Sequence, residues 1–267
     1  MSFVLQLYGQ HWEGCGCNMM IKITEKCSMG CNHCMNDATI NGKHMELETF
    51  KKAINFQKKY GGAFCIITGG EPTEHPQFVS FIVYALENLK LCYITVTTNG
   101  VWMQHNEDEI KSLYNIYGNR LMFQVTNDKR FYPTQIDLSL PVFKYDNVVT
   151  CDHLERIYPQ GRAVDNNLEW ESKASKCFNV RAITHQVGFK NLGNIIAMLA
   201  VKGKFCTPHI NIDGYIKLGE SDLCPNCSHI DKTHDEIIDD ILNFKCSKCN
   251  HINNGLPKEY KMVIGEN

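Results

Sequence analysis

Cys27, Cys31 and Cys34 stand in the spacing C-x3-C-x2-C, within a stretch that also holds Gly30 and His33. Three thiolates so close together can wrap one small inorganic cluster, and they leave one metal corner without a protein ligand. A structural zinc site wants four ligands, and a complete iron–sulfur carrier normally has four cysteines. A three-cysteine loop therefore suggests an open coordination position, which is what catalysis needs. The plainer alternatives are a zinc ion completed by His33 or His44, or three thiols that lie together with no metal.

A second group of cysteines crowds the last quarter: Cys206, Cys224, Cys227, Cys246 and Cys249. Cys224-Pro-Asn-Cys227 and Cys246-Ser-Lys-Cys249 are two C-x2-C pairs, a strong metal signal in a reducing compartment, and a zinc ribbon is one reading of them. Cys65 and Cys92 sit in apolar strand patterns and read as small buried hydrophobes. Cys151 ends a strand; Cys15 and Cys17 precede the first predicted strand without an assignable role. His75, His105 and His234 read as loop or helix-start residues, and His153 and His209 as strand residues of neutral, core character.

The cysteines need such an explanation because the chain does not need staples. It has 267 residues, 14 of them cysteine, and 43% hydrophobic residues. A chain of that length buries a large core unaided. The formal net charge of −2 gives no basic footprint for nucleic acid. Met1–Gly14 has neither the cationic nor the apolar region of a signal peptide, and the longest wholly apolar run, Ile195–Val201, is too short to span a bilayer. These features predict a soluble, cytoplasmic protein whose cysteines serve metal or catalysis.

The elements that must position the cysteines alternate between strand and helix. Strands are predicted over Met19–Thr24, Ala63–Thr68, Tyr93–Thr98, Leu121–Thr126 and Asn147–Cys151. Helices are predicted over Leu47–Tyr60, over Pro76–Lys90 by its i, i+3, i+4 apolar spacing, from Asn106 with Glu109 as a capping box until Gly118, and from about Ala182 to Lys202 with bends near Gly188 and Gly193. A short amphipathic helix is predicted over Asp235–Phe244. Repeated strand–helix–strand units with doubly apolar strands predict an α/β parallel sheet or barrel. After about Phe205 the composition shifts toward Cys, Asp, Asn and Lys, which predicts a small appendage held by metal more than by a core.

The order Cys27-Ser-Met-Gly-Cys31-Asn-His-Cys34, then Gly69-Gly70-Glu71-Pro72 one βα unit later, resembles the radical S-adenosylmethionine (SAM) superfamily over roughly Met19–Ala163. The resemblance implies a partial (β/α)6 TIM-like barrel over 19–204, preceded by a lead-in over 1–18 and followed by a cysteine-rich extension over 205–267. It implies a [4Fe-4S] cluster on Cys27, Cys31 and Cys34, with SAM chelating the fourth iron. His33 falls where the family places a planar residue near adenine, and the Gly69, Gly70, Glu71, Pro72 turn falls beside the methionine moiety, its glycines admitting close approach. Thr126 and Asp128, with Asn127 as a further possibility, end the fourth strand where ribose contacts occur; Asn99 closes the third. Arg162, in Tyr158-Pro-Gln-Gly-Arg-Ala163, matches a position that pairs with the SAM carboxylate.

Cys206, Ile212-Asp-Gly-Tyr-Ile216, Cys224 and the Cys246/Cys249 pair are similar to SPASM or twitch extensions, which carry auxiliary iron–sulfur clusters. No cysteine follows Cys249, so at most one auxiliary cluster is implied, with four ligands among the five cysteines; zinc is the alternative. The reaction implied is reductive cleavage of SAM to a 5′-deoxyadenosyl radical that abstracts hydrogen from a peptide or protein substrate, with electrons from a flavodoxin- or ferredoxin-type donor. Small-molecule, nucleoside or cofactor biosynthesis is the alternative within enzymes, and a non-catalytic iron–sulfur or zinc protein the alternative outside them. Low net charge speaks against a tRNA substrate. Only Met1–Asn18 precede the first predicted strand, so a leader peptide would need a separate partner or another surface.

Overall fold

Five strands of the first half lie side by side in chain order, all parallel: β1 (Asn18–Lys22), β2 (Phe64–Thr68), β3 (Tyr93–Thr98), β4 (Leu121–Thr126) and β5 (Val148–Cys151). The structure is a computed structural model that describes residues 18–60, 63–154, 157, 160–168 and 208–244. Each step moves one strand in the same direction. Right-handed crossovers then place the connecting helices on one face and free the other, as in a barrel wall. A sixth parallel strand, β6 (His209–Ile210), pairs with β1 rather than β5. Among the described residues the sheet is open, with β5 at one edge.

Three helices cover the outer face: α1 (Leu47–Tyr60), α2 (Phe78–Asn88) and α3 (Glu107–Tyr117). In α1, Glu48 opens the helix and Lys58 and Lys59 close it, each sign matching the end of the helix dipole it faces. Its buried side packs Phe50 on Phe81 of α2, ring centroids 4.1 Å apart. The apolar spacing of α2 buries Phe78, Phe81, Ile82, Ala85 and Leu86, as predicted; the helix begins at Phe78 because Pro72–Glu74 form a separate 3-10 turn ahead of it. The predicted capping box at α3 does not form. The Asn106 amide turns back to the Trp102 carbonyl at 2.7 Å, and the first turn relies on Glu107, Asp108 and Glu109 instead. Gly118 ends α3 at φ +56°, where a side chain would be strained.

The C-terminal region departs from its expectation. Beyond β6 the chain turns through Gly214 into β7 (Tyr215–Lys217) and then β8 (Ser228–His229), antiparallel strands that extend the same sheet. After a 161–168 segment carrying a short helix α4 (Arg162–Asp165), the last described helix is α5 (His234–Asn243), opened by a complete Thr233/Glu236 capping box. Ile210, Ile216, Leu218, Ile237 and Ile241 join the central apolar core. The described part of this region is therefore continuous with the sheet and carries its own share of the core. The 204/205 boundary and the helix predicted over Ala182–Lys202 lie outside the described residues. No described helix is long and apolar enough to cross a membrane.

Candidate active site at the cysteine loop

Between β1 and α1 the chain makes the long loop that carries the three cysteines. It folds back on itself: Cys27 N–H donates to Thr39 O at 2.9 Å and Glu25 N–H to Lys43 O at 2.8 Å. The loop is held in place almost wholly through its backbone. Glu74, just past the glycine turn, accepts from Ser28 N–H and Oγ at 2.7 and 2.8 Å. Asn166 donates to Asn32 O at 3.0 Å, and Asn32 N–H donates to Phe131 O at 3.3 Å.

Arg162 is the strongest of these clamps. Its Nε donates to Cys31 O at 2.9 Å, its Nη1 to Ala38 O at 3.0 Å, and its own N–H to Cys34 O at 3.0 Å. A Cβ on the preceding Gly161 would come within 2.5 Å of Cys34 O, so only glycine lets the start of α4 approach the loop this closely. The described guanidinium contacts of Arg162 are to the loop that carries the cysteines.

The glycine turn is bonded to the stretch that follows β1. Gly70 N–H donates to Thr24 O at 2.7 Å and Glu71 N–H to Lys26 O at 2.8 Å. A Cβ on Gly69 would meet Thr24 O at 2.3 Å, and one on Gly70 would meet Lys26 O at 2.3 Å. Both glycines are demanded by the protein's own strand, β1 and its extension. The Glu71 carboxylate points inward. It accepts from Thr73 N–H and Oγ1 at 3.2 and 2.7 Å, from Thr98 Oγ1 at 2.7 Å and from Asn99 N–H at 2.7 Å. Burial pushes its pKa up, and these donors work against that. Glu71 therefore joins the turn to the end of β3, while Pro72 starts the 3-10 turn that carries Glu74. Asn99 Oδ1 caps its own turn by accepting from Val101 N–H at 2.9 Å.

At the end of β4, Thr126, Asn127 and Asp128 are all buried. Asp128 takes Arg130 at 2.6–3.2 Å and Leu154 N–H at 2.8 Å, and the arginine holds its pKa well below the carboxylate range. Asn127 pins the following loop, donating to Thr134 O at 3.3 Å. Asp128's described bonds thus order that loop, which delivers Phe131 and Tyr132 against His33, ring centroids 5.0 and 5.2 Å away. His33 Nδ1 is buried and, among the described residues, has no hydrogen-bond partner. Burial pushes its pKa down to about 4, so it is a neutral ring. Phe131 and Tyr132 escaped the sequence reading because a loop sequence gives no periodicity; their only signal is two adjacent aromatics just after a strand end.

Burial pushes the Cys27 and Cys31 thiols up to about 11 and about 12, with Arg162 pulling Cys31 back down. Bound metal would supply the missing positive charge, since ligation needs thiolates. Among the described residues no three Cys, His, Asp or Glu side chains gather tightly enough to hold one metal ion. A single zinc would draw its thiolates to about 2.3 Å; an iron–sulfur cube presents its iron corners further apart and tolerates wider spacing. The donor set of soft thiols on a backbone-held loop fits such a cluster better than one ion. His44 is bonded to Thr24 Oγ1 at 2.8 Å rather than turned to the cysteines.

Of the C-terminal cysteines, Cys224 and Cys227 are described; Cys206, Cys246 and Cys249, like Cys15 and Cys17, lie outside the described residues. Cys224 is buried, with the Gln160 amide 3.9 Å from its sulfur. Burial pushes Cys227 up to about 12. Cys65 is fully buried, as expected, and Cys151 donates to His153 O at 3.1 Å at the open edge. His209 is fully buried and neutral, its pKa pushed down to about 4 by burial. His153 is exposed.

Residues 21–132 match the family model described as the Radical SAM superfamily. The chain is 24% identical over 127 residues to a GTP 3′,8-cyclase of Actinobacillus succinogenes, covering 42% of this chain and 37% of that protein. It is 29% identical over 94 residues to the antilisterial bacteriocin subtilosin biosynthesis protein AlbA of Bacillus subtilis, covering 35% of this chain and 20% of that one. In each case the matched stretch spans well under two thirds of the relative. Among solved structures, BtrN in complex with AdoMet and 2-DOIA is similar in fold, with a TM-score of 0.54 at 13% identity over 85% of this chain and 82% of that chain.

Proposed function

The chain carries a radical SAM superfamily domain across residues 21–132, and on that premise we propose that Cys27, Cys31 and Cys34 hold a [4Fe-4S] cluster at which SAM is bound and cleaved. When bound, cluster and SAM together supply a 5′-deoxyadenosyl radical able to take hydrogen from an unactivated carbon. The observation that carries the reading is the cysteine loop itself: three thiols on a segment whose backbone is fixed by Arg162, Glu74 and Asn166. Fixed carbonyls keep the thiols in place while the ligands they hold change charge, and partial burial limits water and oxygen. His33, Phe131 and Tyr132 form a cluster of mutually tilted rings beside the loop, against which a purine ring would pack. Gly69, Gly70, Pro72 and Asn99 hold the turn that faces the loop, and Thr126 and Asp128 stand at the β4 end for a ribose.

The substrate proposed is a peptide or protein, supported by the similarity to AlbA, whose name places it in biosynthesis of a bacteriocin. A nucleotide or other small molecule is the second reading, supported by the similarity to a GTP 3′,8-cyclase. Cys206, Cys224, Cys227, Cys246 and Cys249 are proposed to supply four ligands of one auxiliary iron–sulfur cluster, with zinc as the alternative. A flavodoxin- or ferredoxin-type donor is proposed as the electron source. Anaerobic reconstitution followed by SAM and dithionite tests the central reading through release of 5′-deoxyadenosine.

A further inference from the structure

Lys22 ends β1 and is 1% exposed, a charge carried into the interior. Such burial is costly unless the ion is paired and hydrogen-bonded. Its partners come from two parts of the chain far apart in sequence. Nζ donates to Asn36 Oδ1 at 2.8 Å, two residues past Cys34. It also donates to Glu220 O and lies 3.3 Å from the Asp222 carboxylate, both on the loop between β7 and β8.

The same two segments are stitched together around this ammonium. Asn36 Oδ1, already accepting from Lys22, accepts Asp222 N–H at 3.0 Å. Ser221 Oγ donates to Met35 O at 2.6 Å. The second Asp222 oxygen lies 3.1 Å from His209 Nε2 on β6, the strand that pairs with β1. The Cys224 carbonyl, at the end of this loop, accepts from the Lys217 ammonium at 2.7 Å.

We propose that Lys22 and Asn36 are positioning residues that lock the 219–224 loop onto the segment following Cys34, so that the cysteine loop and Cys224 are held as one unit. Neither segment is regular structure, and hydrogen bonds to loop carbonyls are readily replaced by water, so each loop alone would open at little cost. The shared ammonium changes that. Parting the loops would strip the buried Lys22 amine of Asn36, Glu220 and Asp222 at once. Two stretches 186 residues apart in sequence therefore open together. The consequence for catalysis rests on the reading of the cysteine loop as the reaction centre, but the coupling itself is a property of the metal-free chain.

Hydrogen–deuterium exchange on the full chain tests it, using Asn36→Ala and Lys22→Met, with Lys52→Ala as control. Lys52 makes a separate, exposed contact to the same region, 2.9 Å from Asp231. Asn36→Ala is expected to raise exchange about tenfold in residues 35–37 and 219–224 together, a local opening change. Strands β2–β4 should stay within about twofold, and Lys52→Ala should change neither segment. In reconstituted Asn36→Ala the paramagnetic resonance line shape of the reduced cluster with SAM should differ from that of the unsubstituted protein. Loosening of only one segment, or an equal rise across β2–β4, overturns the coupling. If Lys22→Met fails to fold, Asn36→Ala decides by the same criterion. A protein that releases no 5′-deoxyadenosine but shows the paired loosening retains the joint and loses the catalytic reading; the reverse result separates them the other way.

Discussion

The guanidinium of Arg162 donates to the backbone carbonyl of Cys31 at 2.9 Å, across 131 residues of sequence. With its second bond to Ala38 O and the backbone bond to Cys34 O, it holds the cysteine loop at three points. Substitution by lysine removes the planar fork that reaches two carbonyls at once. A lost charge-assisted bond costs about 1.5–3 kcal/mol, so Arg162→Lys should lose cluster iron to a chelator roughly tenfold faster. The KM for SAM should change little. A large rise in KM with normal iron retention would instead place Arg162 on the SAM carboxylate.

Glu71 carries a different kind of load. Its carboxylate accepts four hydrogen bonds that join the glycine turn to the end of β3. Glu71→Gln turns an amide N–H₂ toward donors and leaves buried groups unsatisfied, costing about 2 kcal/mol. The melting temperature should fall by about 5 °C. An unchanged melting temperature with abolished SAM binding would mean that the side chain serves the ligand instead.

The buried His209 makes stability depend on pH. Its folded pKa is pushed down to about 4 from the ordinary 6.5, so between those values the unfolded chain binds a proton that the folded chain does not. Stability should therefore fall as pH drops from 6.5 toward 4, by up to about 3 kcal/mol from this group. Denaturant unfolding of the native chain and His209→Gln at pH 7 and pH 5 checks the sign. The native chain should lose more stability between the two pH values than the variant. Equal losses would show that His209 is not held neutral.

Much of this architecture is legible in the residues, and the exceptions have physical causes. β3, β4 and α1 fall on their predicted bounds because their apolar spacing is decided locally. The α3 cap misleads because Asn106 and Glu109 satisfy the pattern while the Asn106 amide finds a nearer carbonyl at Trp102. Lys22 gives no warning in sequence. It is a polar residue at the end of a mostly apolar strand, and Glu220 and Asp222 lie close to 200 residues away. Arg162 is visible as a conspicuous loop arginine, yet its acceptors are backbone carbonyls, which no side-chain pattern marks. The C-terminal region looks metal-dependent by composition because its core isoleucines are few and dispersed, and only the pairing of β6 with β1 shows where they are buried.

A metal proposed for the C-terminal cysteines is tested apart from the first site by removing Cys27, Cys31 and Cys34 together. That variant should retain iron and sulfide after anaerobic reconstitution. Retention of zinc alone would assign the remaining cysteines to a zinc ribbon.

The most direct measurement is 5′-deoxyadenosine release from SAM after anaerobic reconstitution and reduction with dithionite, with Cys31→Ala run in parallel. Buried Cys31 sits at the centre of the clamped loop, and its loss should abolish the product while the parent chain forms it. Absence of product from a parent chain that holds an intact cluster, with candidate peptide and nucleotide substrates present, would contradict the account.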